Sequence, residues 1–423
     1  MSGNPNAGIQ GSADLDPAAA RYQHAARVRR QILLLGLGAF CSMMSMRLCD
    51  PMLIALAHDF GESVGTTSQT VSSFAIAYGI TQLLLGPLGD RVGKTRVIRW
   101  GTAAGALFAA GAMLAPSFPA LLACRVAMGA AAAAIIPLAM AWIGDNVPNR
   151  DRQAMLARLL TATLGGVIAG QWIGGVAADH FGWRSAFGVL STLFAMSALL
   201  LWRADWLRPP DSARPSATWR ESALQPLRLV SRPVVLGVLT VTLVEGAAIY
   251  GALAFIPTFL AQSHGISMTM AAACVALFGV GGMTYSFWIS KLLSRTGSAW
   301  LALAGGAIAS TSLFVIAFAQ FVHLAALACF FCGLGFYFIH GSLQVRATQM
   351  ASDFRGTAVS LFSCSLFSGQ TIGVLAGGAA AELGKTAAFL AAASVAVLVV
   401  ACSVALGDKR FAKAASLSDE EGS

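Results

Sequence analysis

The sequence predicts an all-α integral membrane protein, twelve transmembrane helices in two pseudo-symmetric six-helix bundles. Three observations carry this. Apolar segments of about twenty residues recur along the whole chain, a polar connector divides them into two sets of six, and the second set repeats features of the first. Of 423 residues, 57% are hydrophobic and 11% charged, against about 25% charged in soluble proteins. A soluble fold could not hide that much apolar surface, whereas each segment, at about 1.5 Å per residue, can cross a hydrocarbon core of about 30 Å.

Reading apolar runs between breakers places the spans near 31–58, 66–88, 97–115, 119–143, 156–178, 186–204, 233–261, 268–290, 299–319, 324–345, 356–381 and 386–406. This divides the chain into an N-terminal tail (1–30), a first bundle (31–204), a connector (205–232), a second bundle (233–406) and a C-terminal tail (407–423). The connector contains Pro209, Pro210 and Pro215 and five arginines, which suit neither helix interior nor lipid. No removable signal peptide is read in the first thirty residues, which are polar and carry Asp14 and Asp16. With both termini cytoplasmic, 24 of the 28 Lys and Arg residues fall on cytoplasmic segments, the bias expected of a bacterial inner-membrane protein.

The net charge of +9 does not indicate nucleic acid, because the bases are scattered over short loops without interleaved aromatics. The eight cysteines fall in apolar stretches and act as small hydrophobes. Cys329-x-x-Cys332 has redox or metal spacing without further ligands, and no phosphate loop or nucleophile triad is present. Neither enzymatic activity nor a metal or cofactor is expected.

Internal duplication follows from one offset. Gly166, Gly170, Gly174 and Gly175 recur 203 residues later as Gly369, Gly373, Gly377 and Gly378, and Arg152/Arg355 and Asp179/Glu382 obey the same spacing. Two similar bundles facing each other enclose a midplane site that rocking exposes to either side.

Few ionisable groups lie deep in the spans: Arg47, Asp50, Arg125 and Glu245, with His340 nearer one end. Each is costly there unless paired or hydrated, which makes them candidates for proton coupling or substrate binding. Asp50 follows Arg47 by three residues and shares its helix face. Asp50 and Arg125 lie at similar depths, about 12 and 9 Å from the outer surface, so Asp50 is expected between two arginines. Tyr78, Gln82, Gln171, Tyr250, His340 and Gln370 are candidate cavity lining.

Between the second and third spans stands GPLGDRVGKTRVI, residues 86–98. Its Gly86, Asp90, Arg91, Gly93 and Lys94 resemble the helix 2–3 signature of the major facilitator superfamily. Arg125-x-x-x-Gly129 with Pro137 is similar to that superfamily's helix 4 motif. The glycines Gly166, Gly170, Gly174 and Gly175 are similar to the helix 5 motif of its proton antiporters, except that Gln171 stands where the pattern has proline.

The resemblance covers essentially the whole chain and implies a transporter of a small-molecule substrate, with protons as coupling ion, working as a monomer in the bilayer. It also implies that Asp90 meets the positive N-terminal end of helix 11 when the cytoplasmic mouth is shut. Proton-driven efflux of a small organic molecule or drug is the expectation. Proton symport or facilitated uptake of a small organic anion or metabolite stays open, and a non-transporting sensor or scaffold is the remote alternative.

Overall fold

The computed structural model describes residues 17–204, 206, 219–351 and 354–420, and among these every regular element is helical. In chain order the long helices are α1 (Ala26–Phe60), α2 (Gln69–Val92), α3 (Lys94–Met113), α4 (Phe118–Asn146), α5 (Asn149–Phe181) and α6 (Trp183–Arg203) in the first half. The second half has α7 (Pro233–His264), α8 (Met268–Trp288), α9 (Ala299–Phe318), α10 (Val322–Gln349), α11 (Arg355–Glu382) and α12 (Thr386–Gly407). Ten of them are long and apolar enough to cross a membrane. The other two, α2 and α3, are diluted by Gln, Ser, Thr and Tyr and by Lys94, Arg96 and Arg99, and hold the second and third places of the twelve expected.

Residues 1–16, 205, 207–218 and 421–423 of the expected tails and connector lie outside the described residues; most of what lies inside is helical. Helix runs from Pro17 into α1, α12 continues to Glu420, and a connector helix spans Trp219–Val230. Gln225 of that helix accepts a hydrogen bond from Thr357 Oγ1 at 3.1 Å, tying the connector to the start of α11.

The charged segment read between the second and third spans is almost entirely helical. Helix α2 continues to Val92, α3 begins at Lys94, and Gly93 alone makes the turn, at φ 99° and ψ 126°. Only glycine takes that backbone readily. Proline shapes two other helices. Pro51 cannot continue α1, which becomes a 3₁₀ turn at Asp50–Met52, and α4 is interrupted before Ile135, two residues ahead of Pro137.

Each half has its own apolar core, around Phe74, Phe187 and Phe194 in the first and Leu253, Ile316 and Phe336 in the second. Phe255, Phe367 and Val374 of the second half join the first core, where the halves touch. Large apolar side chains such as Leu107, Trp172, Phe287 and Val395 face outward, as hydrocarbon surroundings allow.

The duplicated glycines set the helix contacts. A Cβ on Gly170 would stand 2.6 Å from the Met44 carbonyl oxygen, and Gly166 and Gly174 lie equally close to the carbonyls of Phe40 and Leu48 in α1. In the second half Gly369 and Gly373 lie against the carbonyls of Leu243 and Ala247 in α7. These partners are 203 residues on from Phe40 and Met44, so the offset read in sequence is also the structural one. Gly175 packs on α8 at Met268, and Gly378 packs at Gly65 and Ser68, ahead of α2.

Gly170→Val should therefore lower the melting temperature of the purified protein, with an overpacking cost of about 1–3 kcal/mol or more. Gly237→Ala, at a helical glycine with open space around it, should leave the melting temperature unchanged or slightly raised. Equal melting temperatures for both variants would argue against backbone-to-backbone packing of α5 on α1.

Candidate functional site

The break in α1 builds the first part of the site. Arg47 closes the helical segment and Asp50 opens the 3₁₀ turn, both buried. Arg47 Nη1 lies 3.5 Å from Asp50 Oδ2, and Gln171 Nε2 donates to that same oxygen at 2.9 Å. The arginine contact is longer than a strong charge-assisted hydrogen bond. Arg47 Nη1, Asp50 Oδ1 and Gln171 Oε1 accordingly keep bonds unmade within the protein. Across the interface, the Arg47 guanidinium carbon lies 4.2 Å from the centre of the Tyr250 ring of α7, a cation–π contact strengthened by exclusion of water. Arg47 and Tyr250 are themselves 203 residues apart. Two equivalent positions in contact lie on the pseudo-two-fold axis between the halves.

Arg125 departs from the expected arrangement. Its Nε donates to the Thr70 carbonyl and its Nη1 to the Ser45 carbonyl, each at 2.8 Å, with Phe74 stacked 4.3 Å from the guanidinium. Asp50 therefore sits between Arg47 and Gln171, with Arg125 acting on it only at longer range. The physical reason is that carbonyls of α1 and α2, close to the interruptions in α1 and α4, offer Arg125 nearer acceptors. One nitrogen, Nη2, remains without a protein partner.

The second half contributes a different pair. Glu245 ends a regular stretch of α7, and the next five residues, Gly246–Tyr250, form a π-turn. Such turns free backbone groups and redirect side chains, often at functional sites. His340 Nδ1 of α10 lies 3.2 Å from Glu245 Oε2, while Glu245 Oε1 and both amide atoms of Gln370 have no protein partner. His340 stacks on Phe336 at 5.0 Å between ring centres, and Phe336 meets Tyr250 at 5.1 Å. Tyr78 adds an edge contact to Phe367 at 4.8 Å and lies beside Gln82 and Ser42. Sequence reasoning missed the aromatic wall of Phe336, Tyr337 and Phe367. Its only signal was Phe336-Tyr337 one helical turn ahead of His340.

Comparison with known proteins now bears on this geometry. The family model for the Major Facilitator Superfamily matches residues 35–373. The chain belongs to that superfamily. Among similar curated proteins, an uncharacterised superfamily transporter of Bacillus subtilis, YceJ, is 26% identical, the match covering 77% of this chain and 83% of the relative. A probable sugar efflux transporter of Helicobacter pylori is 25% identical over 77% of this chain and 82% of its own. Among solved structures, a bacterial homologue of the human lysosomal transporter Spinster, in an inward-facing unoccupied conformation, superposes with TM-score 0.72. It is 18% identical, covering 92% of this chain and 98% of its own. The human organic anion transporter MFSD10 superposes with TM-score 0.70 at 16% identity, covering 89% and 99%.

As in other members of the major facilitator superfamily, this protein is a membrane transporter and not an enzyme. Gly86 and Asp90 lie within α2, and their surroundings fall outside the described residues. Lys94 forms an ion pair with Asp145 of α4, and Arg152 of α5 donates to the Gly144 carbonyl at 2.6 Å.

The halves meet along α2–α11 and α5–α8, from Gly79 against Phe367 and Ile168 against Gly279 to the end opposite Gly93. At that end Asp179 accepts hydrogen bonds from the amides of Met268 and Thr269, at 3.2 and 2.6 Å, and from Thr269 Oγ1 at 2.6 Å. Its equivalent Glu382 accepts from Ser63 Oγ at 2.5 Å, and Ser63 Oγ itself accepts from Thr66 N at 3.0 Å. Thr66 is the equivalent of Thr269. Each half thus ends in a carboxylate that holds a helix start of the other half, where backbone amides and the dipole favour negative charge.

Asp179→Ala removes three hydrogen bonds from the closed end. A cap loss of about 1 kcal/mol shifts a two-conformer equilibrium about fivefold. Spin labels placed at the exposed positions Glu62 and Ser263 should then show a larger share of long distances in the variant. An unchanged distance distribution would mean that Asp179 does not hold this end shut.

Proposed function

We propose that the protein is a proton-coupled antiporter that exports a small organic solute, with sugars the first class to test. The supporting observation is the Arg47–Asp50–Gln171 group with its unmade bonds, set on the pseudo-two-fold axis against Tyr250. Charged Asp50 offers its unpartnered Oδ1 as an acceptor to a solute hydroxyl. A proton taken up at that oxygen turns the acceptor into a donor and releases the solute. Proton and solute compete for one carboxylate oxygen, which is what exchange requires.

Several features favour a polyhydroxylated solute. Unpaired donors on Arg47, Arg125 and Gln370 and unpaired acceptors on Asp50, Gln171, Glu245 and Gln370 suit hydroxyl groups, which both donate and accept. Tyr250, Phe336 and Phe367 supply flat apolar faces against which a sugar ring can lie. The Helicobacter pylori relatives bear the name of probable sugar efflux transporters. On this reading Glu245 and His340 orient the solute from the second half.

We further propose that the Gly93 end is cytoplasmic in a bacterial inner membrane, that both termini lie there, and that the structure is the state open to that side. The Asp90 carboxylate meets the N-terminal end of α11 when the cytoplasmic mouth closes. One chain suffices for transport.

Inside-out proteoliposomes with an acid lumen should accumulate the exported sugar from a labelled hexose, pentose and disaccharide panel. Asp50→Asn should lose that accumulation at least tenfold while retaining counterflow without a gradient, because rocking persists when its link to protons is cut. Symport of an anion predicts the reverse sign of the pH effect. Wild-type accumulation in the asparagine variant would remove Asp50 from coupling.

A further inference from the structure

We infer that Gln171, the residue that breaks the family's helix 5 pattern, is a positioning residue for the Asp50 proton. It holds the carboxylate in its charged form and orients the oxygen that is protonated. This rests on the reading of Asp50 as the proton site. Where the antiporter pattern has a proline, which has no donor, this chain has a fully buried glutamine whose Nε2 donates to Asp50 Oδ2 at 2.9 Å. The bond crosses from α5 to the broken turn of α1. It is set by the glycines on either side: Gly170 lies against Met44 and the Arg47 Cβ, and Gly174 against Leu48 and Pro51. Those two contacts fix the rise and rotation of α5 on α1 and place Gln171 beside Asp50.

The chemistry follows from the donor. An amide N–H given to a carboxylate favours the ionised state, and it occupies the oxygen that also faces Arg47 Nη1. The other oxygen, Oδ1, has no partner among the described residues and is the atom left to take the proton. The amide's own carbonyl, Gln171 Oε1, is likewise unpartnered and accepts a hydroxyl from a bound solute. One side chain thereby touches both competitors. The charged groups acting on Asp50 are Arg47 on its own helix and Arg125 from α4. Cys49 precedes Asp50, α7 brings Tyr250 to it through Arg47, and Asp179, at the far end of α5, is turned to the α8 backbone. Arg47 reaches the same oxygen only at 3.5 Å, and none of the others supplies a hydrogen bond in place of the amide.

The test needs no substrate. The carbonyl stretch of a protonated carboxyl group is followed by infrared difference spectroscopy as the pH is stepped across reconstituted full-length protein. The component absent in Asp50→Asn is assigned to Asp50. Gln171→Met keeps the length of the side chain and Gln171→Pro restores the family residue; both lose the amide. In both, the Asp50 component should persist to higher pH, its midpoint moved by about one unit, the scale of one hydrogen bond to a charged group.

A midpoint equal to wild type in Gln171→Met, with an unchanged melting temperature, would overturn the inference and leave Gln171 a packing residue. Should Gln171→Met fail to accumulate, Gln171→Asn, whose amide is one carbon short of Asp50, carries the same comparison. If Asp50→Asn removes no titrating component, the proton-site reading itself falls, a result distinct from an unmoved midpoint.

Discussion

Everything at the centre of this transporter depends on how closely α5 lies on α1. Helices in hydrocarbon gain little from burying apolar side chains against each other, because lipid is as apolar as leucine, so close backbone packing takes over. Gly166, Gly170 and Gly174 strip one face of α5 and let the carbonyls of Phe40, Met44 and Leu48 fill the space where side chains would be. Contact every four residues removes freedom of slide and of rotation. The amide of Gln171 and the carboxylate of Asp50 are neighbours as a consequence.

The same contact, repeated by Gly369 and Gly373 on α7, makes the scaffold pseudo-symmetric while its chemistry is not. By the 203-residue offset Asp50 corresponds to Leu253, Glu245 to Ser42 and His340 to Pro137. Each half therefore brings its own carboxylate, one held by an arginine and an amide and the other by a histidine. The residues nearest the axis, Arg47 and Tyr250, are equivalent in position and opposite in electronic character, a cation against a ring face. Identical side chains would repel there as two arginines, or stack without a charge as two tyrosines. Divergence at this one pair gives the halves a reason to meet at the midplane.

Much of this was legible in the sequence, because hydrocarbon leaves few options: span length, the paired glycines and the rarity of deep charges are all forced by a solvent that cannot hydrogen-bond. The offset of 203 was readable from glycines and flanking charges, and it locates the helix contacts correctly. What could not be read was partner choice among buried polar groups. Arg125 was expected on Asp50 by depth, yet it bonds to carbonyls of Ser45 and Thr70. Depth along a helix fixes one coordinate only; rotation and the breaks at Pro51 and Pro137 decide the rest. The second and third spans were read as ending at 88 and starting at 97, leaving the charges between them. A single glycine with positive φ suffices to turn between the two helices, so both run further.

The end opposite Gly93 shows what a carboxylate on a helix start offers over a surface ion pair. A salt bridge between flexible side chains at an exposed surface contributes little, as for Arg184 and Asp59, both nearly half exposed on one half of the molecule. Asp179 instead takes backbone amides of α8, which are fixed in direction by the helix and otherwise have no acceptor. The attraction is moderate, about 0.3–1 kcal/mol when exposed and up to about 2 when partly buried. On the proposed function, that strength suits a contact that must hold one end and still break at ordinary thermal energies. The duplication supplies two such contacts, Asp179 on α8 and Glu382 through Ser63 on the turn before α2, on opposite sides of the axis. On the proposed function, full opening of this end breaks both contacts, one on each half's carboxylate, and a transporter that must never be open at both ends gains from that pairing.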